Sequence, residues 1–262
     1  MREPGAAAGI VDCHVHVGLT KYRPVEDYRD SMRRCCIDRA VLVQYLGNAD
    51  NAYLERVVQE DPEVFTGIGL VDPDDPAAPR QIDELARRGV LGGVRLPARV
   101  RGDVWKAMDA HGLTASVTGP FTDVVDDTFL DVVDHHPGVH FRLEHLGWLR
   151  FADDPAPYPG FRRFLRLAER PNTSASWSGF FLNAATPYPY PDAVPYLRMC
   201  LAAFGADRLM WSGDWNRAGG TDADYAAAVA HVTDHMTFLG PDERDRVLGR
   251  SAATILGRVS WV

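Results

Sequence analysis

Short runs of β-branched and aliphatic residues alternate along the chain with longer stretches whose apolar residues recur at helical spacing. The short runs predict strands over 10–17, 39–45, 64–71, 89–96, 113–118, 139–145, 172–178 and 208–211. The longer stretches predict helices over 25–37, 51–59, 77–88, 102–110, 122–135, 161–169, 191–204 and 222–238, with a short one over 242–248. Asp75-Pro76 before the third helix, Gly89 after it and Gly112 after the fourth agree with those limits. Eight strand-then-helix units at about 30 residues each imply a parallel sheet closed into a (β/α)8 TIM barrel, an α/β fold. No linker or composition shift divides the chain. Residues 1–9 therefore read as a flexible tail and 10–262 as a single barrel domain. The first strand runs into VHVGLT, which lacks the glycine-rich fingerprint of a dinucleotide-binding open sheet.

A barrel gathers its chemistry at the C-terminal ends of its strands. Strand one there carries VDCHVHVG. Alternation places His14 and His16 on one face, their Cα atoms about 7 Å apart, with Cys13 and Val15 on the other. Buried without partners, two imidazoles cost free energy; together they suit one metal ion or one polar ligand. Asp72 after strand three, Arg95 on strand four, His145 on strand six and Asp214 past strand eight fall at the same end. The other histidines do not. His111, His135 and His136 close helices, His140 opens strand six, and His231 and His235 lie on the last long helix, where they are expected to face solvent. Three histidines and an aspartate suit one zinc-like divalent ion, with Asp214 as general base toward water.

Composition narrows the class. The 262 residues are 46% apolar and carry a formal charge of −8, which argues for a globular core and against nucleic acid. Lys21 and Lys106 are the only lysines, and neither falls on a strand, so a bridging carboxylated lysine is excluded and one ion at most is expected. No signal pattern and no membrane-length apolar run is present. Cys13, Cys35, Cys36 and Cys200 show no paired spacing and read as reduced thiols in the cytoplasm.

The motifs VDCHVHV, GIGLVDPDDP, GVRL, FRLEHLGW and RLMWSGDWN, in that order, resemble the amidohydrolase superfamily. The likeness is greatest to the amidohydrolase-2 branch of sugar lactonases, 2-pyrone-4,6-dicarboxylate lactonase and aminocarboxymuconate-semialdehyde-type decarboxylases. The resemblance implies a distorted barrel with His14, His16, His145 and Asp214 at its centre, as catalytic and metal-binding residues, and with Arg95 on a substrate carboxylate or carbonyl. It also implies that the site works either with its ion or metal-free, the histidines and arginines then polarising substrate directly. The chain departs from the branch in three places. Ser212-Gly213-Asp214 replaces Gly-Ser-Asp, Glu144 replaces an aspartate, and strand seven reads NTSASWSG where relatives often carry a lysine. Beside an inward His145, Glu144 is expected to point outward.

Two loops rich in aromatic residues and proline, GWLRFADDPAPYPG and FFLNAATPYPYPD, would overhang the mouth. They make Trp148, Phe180, Tyr188 and Trp215 candidate substrate walls, with Trp177 on strand seven a further contact and Arg217 a second anion grip. The expected reaction is opening of a lactone or related cyclic ester. The alternatives are non-oxidative decarboxylation of an unsaturated or aromatic acid and a catalytically silent ligand-binding barrel. The expected partner is a small carbonyl- or carboxylate-bearing molecule, with a homo-oligomer compatible and no membrane.

Overall fold

A computed structural model describes residues 9–215 and 222–256. Eight parallel strands pair in chain order: β1 Ile10–Val15, β2 Ile37–Val43, β3 Phe65–Leu70, β4 Gly93–Pro97, β5 Thr114–Thr118, β6 His140–Leu143, β7 Thr173–Trp177 and β8 Leu209–Trp211. The outer layer holds α1 Val25–Cys35, α2 Ala52–Glu60, α3 Ala78–Arg88, α4 Gly102–Ala110, α5 Phe121–Val124 and α6 Asp127–His135. It continues with α7 Pro159–Phe164, α8 Phe180–Asn183, α9 Val194–Phe204, α10 Asp222–Ala230, α11 Pro241–Asp245 and α12 Ser251–Leu256. The tail expected over 1–9 lies, except for Gly9, outside the described residues. No helix among the described residues is long and apolar enough to cross a membrane.

Element order agrees with the apolar pattern, and the differences have local causes. The strand expected from residue 89 begins at Gly93, because Gly89 is the left-handed cap of α3 and donates its N–H to Leu85 and Ala86 carbonyls. The helix expected over 122–135 is two helices, because Asp126 accepts from the Thr128 N–H and starts α6 afresh. The last long helix gives way after Ala230 to a wider π turn over His231–His235.

Two apolar clusters build the core. The larger one packs outward-facing strand residues such as Val15, Leu42, Val94, Phe141 and Trp177 against the helices. The smaller one fills part of the barrel interior with Val11, Cys13, Val41, Val43, Ile68 and Met210. Cys13 thus faces inward, not opposite the histidines as alternation predicts. The register between β1 and β2 shifts between Asp12 and Val15, so a bulge carries both Cys13 and His14 to the interior. No disulfide joins Cys13, Cys35, Cys36 or Cys200.

Closure between β8 and β1 rests on a side chain as much as on backbone pairing. One parallel bridge joins Val15 to Trp215. Beside it, Asp12 Oδ1 accepts the Gly213 N–H at 3.0 Å and the His14 N–H at 3.1 Å, while Oδ2 accepts the Tyr225 hydroxyl at 2.6 Å. Burial pushes the Asp12 carboxyl up to about 6 despite those bonds.

Toward β4–β7 the interior is polar. Arg142 is fully buried and donates to the Cys13 carbonyl and, at 2.5 Å, to Ser116 Oγ. Burial lowers its pKa, opposed chiefly by the Glu144 carboxylate. Removing such a charge leaves its partners buried and unpaired. Arg142→Ala should therefore lower the unfolding free energy by about 3–5 kcal/mol in urea denaturation. Arg33→Ala, which breaks an exposed pair with Asp30, should cost less than about 1 kcal/mol.

Candidate active site

His14 and His16 stand at the top of the interior, edge to face, with ring centroids 4.8 Å apart. His16 donates Nδ1–H to the Val43 carbonyl at 2.8 Å, which leaves its Nε2 as the lone-pair nitrogen of a neutral ring. Burial holds His14 well below its ordinary value and His16 down to about 3, with Arg95 adding to the shift of His16, so both rings are neutral at pH 7. Their Nε2 atoms lie 3.2 Å apart, and Asp214 Oδ1 lies 3.8 Å from His16 Nε2. The donor atoms of His14, His16 and Asp214 all fall within 4.8 Å of one another. A second such group joins His14, Glu144 and His145.

Glu144 is not where alternation from His145 put it. It is fully buried at the barrel axis. Counting up β6, His140 meets Ser174 across the interior, Arg142 meets Ser116, and Glu144 continues that inward row. His145 would then point outward, but its backbone is left-handed at φ 49°, followed by Leu146 at 54°, Gly147 at 73° and Trp148 at 67°. That turn rolls His145 to the same side as Glu144. For each non-glycine residue so held the cost is about 1–2 kcal/mol. Asn183 fixes the turn by donating to the His145 carbonyl at 2.8 Å, and Ser178 Oγ hydrogen-bonds His145 Nδ1 at 2.7 Å. Gly179 lies so close that a Cβ there would meet His145 Nδ1 at 2.9 Å.

Arg95, expected on a substrate carboxylate or carbonyl, lines the well with a guanidinium that is already engaged. Its fork is taken by Glu144: Nε donates at 3.0 and 3.2 Å, and Nη2 at 2.7 Å. Ser116 Oγ adds a 2.6 Å bond to the same carboxylate. Burial alone would raise Glu144; the Arg95 guanidinium outweighs it and holds the carboxyl at about 2, so it is ionised.

Asp214 also has a left-handed backbone, φ 48°. The order Ser-Gly-Asp before it has a steric reason, because a Cβ on Gly213 would lie 2.3 Å from the Tyr225 ring. His16, His145, Asp214, Arg95 and Trp148 line one well of about 40 Å³. Lys21, Tyr22 and Leu46 complete its wall, and sequence reasoning assigned none of them. Tyr22 packs on the His16 ring at 5.0 Å, and Lys21 lies over the Tyr22 and Tyr45 rings. Through Leu46 and Arg95 the well adjoins a wider, mostly apolar cleft of about 450 Å³ over the ends of β3–β5, with Asp72 on its rim.

The aromatic candidates divide. Trp148 faces the well, its ring 4.9 Å from His145. Trp177 does not, because its strand position turns it outward onto Phe238 in the helical layer. Trp215 is held away by an indole N–H donated to Ser31 on α1 at 3.0 Å. Phe180 and Tyr188 line a separate pocket beside His231, which is buried rather than solvent-facing; His235 is exposed as expected. Arg217 lies outside the described residues.

The donor set fits a metal ion. Two bonds of about 2.1 Å whose ends are 3.2 Å apart enclose about 100°, near the tetrahedral angle. The remaining nitrogen of His14, Nδ1, is buried with no hydrogen-bond partner among the described residues and lies 3.8 Å from Glu144 Oε1. If His14 Nε2–H simply donated to His16, its bare Nδ1 would face a carboxylate, lone pair to lone pair. If Nε2 ligates, Nδ1 carries the proton toward Glu144, the usual carboxylate–histidine–metal arrangement.

Known proteins share this architecture. An L-fucono-1,5-lactonase of Burkholderia ambifaria is 30% identical over 244 residues, 87% of this chain and 82% of the relative. A solved putative 2-pyrone-4,6-dicarboxylic acid hydrolase of Pseudomonas putida superposes with TM-score 0.81 at 21% identity, over 95% of this chain and 98% of that one. An amidohydrolase of Burkholderia multivorans, solved with bound zinc, superposes with TM-score 0.76 at 18% identity, over 95% and 99% of the two chains. The amidohydrolase family model matches residues 11–258, and the chain belongs to the amidohydrolase family.

Proposed function

We propose that the protein opens a lactone by adding water to its carbonyl carbon. The observation that carries this reading is the convergence of two neutral imidazoles and the Asp214 carboxylate within 4.8 Å, with His145 on the same well. The 30% identical lactonase supports the choice of substrate class. A water–carbon bond forms and the ring carbon–oxygen bond breaks. Asp214 takes the proton from water and returns one to the departing ring oxygen, as a general base and then acid. His145, with Nδ1 fixed by Ser178, offers its other ring nitrogen to the carbonyl oxygen. The adjoining cleft receives the lactone ring and its substituents, and only the reacting carbonyl reaches into the well beside Trp148. The small well itself limits how much water accompanies the substrate.

His14, His16 and Asp214 would hold the ion, and two imidazoles with one carboxylate suit zinc. Bound there, it supplies Lewis acidity toward a carbonyl oxygen. Arg95 acts behind this set, as the counter-charge that keeps Glu144 ionised under His14.

The occupied fork of Arg95 also weighs against decarboxylation. Among the described residues lining the well, a substrate carboxylate would find Lys21 as the one basic side chain not already paired with Glu144. A silent barrel is disfavoured by the complete set of four side chains.

Asp214→Asn should lower kcat for lactone hydrolysis by at least about 10², the low end for losing a proton-transfer group. Unchanged turnover would remove Asp214 from the mechanism. Elemental analysis of the purified protein should find one divalent ion per chain. Glu144→Gln should weaken its retention against a chelator by about 10–100-fold, the usual cost of losing a carboxylate behind a ligating histidine. Equal retention would show that Glu144 does not support His14.

A further inference from the structure

The well of about 40 Å³ admits little more than a carbonyl group, and the adjoining cleft of about 450 Å³ is where the body of a substrate fits. That volume falls within the range of about 300–1,000 Å³ usual for small-molecule sites. Leu46 and Arg95 line both cavities. Gly119 joins them at a third point. It lines the cleft, and a Cβ there would meet the side chain of Trp148, a wall of the well, at 3.0 Å. A ring whose carbonyl enters the well is therefore carried into the cleft.

The wall of the cleft says what that ring carries. Leu46 on the loop after β2, Leu70 and Val71 at the end of β3, Pro73 just past it and Pro97 at the end of β4 give it a hydrocarbon side. Leu70 and Val71 are buried in the barrel end, whereas Leu46 stands 48% exposed. A large aliphatic side chain in water at the mouth of a site gains free energy when apolar surface covers it. The polar groups on the cleft are of a different use. The Arg95 guanidinium is held by Glu144. Thr118 brings a hydroxyl from the end of β5, and the exposed Asp72 places a carboxylate on the rim. Both can meet ring hydroxyls, while the Asp72 charge opposes a second carboxylate. Lys21 lies on the well rather than on the cleft.

We infer that the cleft recognises an apolar substituent, so that the substrate is a neutral lactone whose ring bears an alkyl group. The alkyl group lies against Leu46, Val71 and Pro97, and any ring hydroxyls turn to Thr118 and Asp72. The identity of the ring rests on the lactone reading, but the selectivity of the cleft is legible from binding alone.

δ-Valerolactone, δ-hexalactone and δ-octalactone differ only in the alkyl group on the carbon bearing the ring oxygen. Their kcat/KM should rise by about 2- to 4-fold for each added methylene, the worth of moving that group from water to an apolar wall. The matching δ-lactams, titrated calorimetrically into the full-length protein, should bind more tightly by the same factor. Leu46→Asn should lower the octalactone-to-valerolactone ratio of kcat/KM by about 3- to 10-fold, and Leu46→Met should preserve it. Because Leu46 is half exposed, both variants are expected to fold. δ-Valerolactone carrying a carboxylate on the same carbon should be the poorest substrate. Asp72→Asn should improve it relative to hexalactone by about 2- to 5-fold. Lactone turnover that ignores chain length overturns the inference and leaves the lactone reading standing. Lactam affinity that ignores chain length overturns it whether or not lactones are opened. Lactam affinity that climbs with chain length while no lactone is opened removes the lactone reading and supports the apolar cleft. A carboxylated ring turned over as well as hexalactone overturns the neutral class.

Discussion

A carboxylate buried at the axis of a barrel is tolerable only if its charge is met, and the Glu144–Arg95 pair is the contact on which this site depends. Glu144 receives three hydrogen bonds from Arg95 and one from Ser116. Ser116 in turn accepts from Arg142, whose other arm reaches the Cys13 carbonyl beside the bulge that delivers His14. The chain of polar contacts runs from Arg95 on β4 to Glu144 at the end of β6, through Ser116 on β5 to Arg142 on β6, and from there to β1. It fixes the floor under the imidazoles and gives His14 Nδ1 an anion to face. Isolated, any member would cost several kcal/mol; together, all of their polar groups but Arg142 Nε find partners among the described residues.

Above that floor the structure holds two functional side chains in left-handed backbone, His145 and Asp214. Both arrangements are enforced by neighbours rather than chosen by the residues themselves. Asn183, Ser178 and the close approach of Gly179 hold the first. The second follows Gly213, whose N–H is tied to Asp12 and whose missing side chain makes room for Tyr225. Strain of this kind collects where a site must be preorganised. It also shows why the Ser-Gly-Asp order suits this chain: the closure between β8 and β1 passes through that glycine.

The strand and helix order, and with them the barrel, were legible because apolar period and turn residues agree along most of the chain. His14, His16, His145 and Asp214 could be selected by position alone, since the fold assigns chemistry to one end of its strands. Side-chain direction was harder to read. Alternation counted upward from His140 places Glu144 inward, whereas counting down from an inward His145 places it outward, and only a left-handed turn reconciles the two. Cys13 was misplaced by a bulge that no local letter announces. Trp177 and Trp215 look like mouth residues in sequence, yet one obeys strand alternation into the helical layer and the other is drawn to Ser31 on α1. Tyr22, Lys21 and Leu46 sit in loops after β1 and β2, where no periodicity says which way a side chain turns.

The proposed reaction stands on one step, the addition of water to a lactone carbonyl beside Asp214. Turnover of a hydroxylated sugar lactone in water enriched in oxygen-18 tests it most directly. One labelled oxygen is expected in the product carboxylate and none in the released hydroxyl. Label in the hydroxyl group, or no ring opening above the buffer rate, would contradict it.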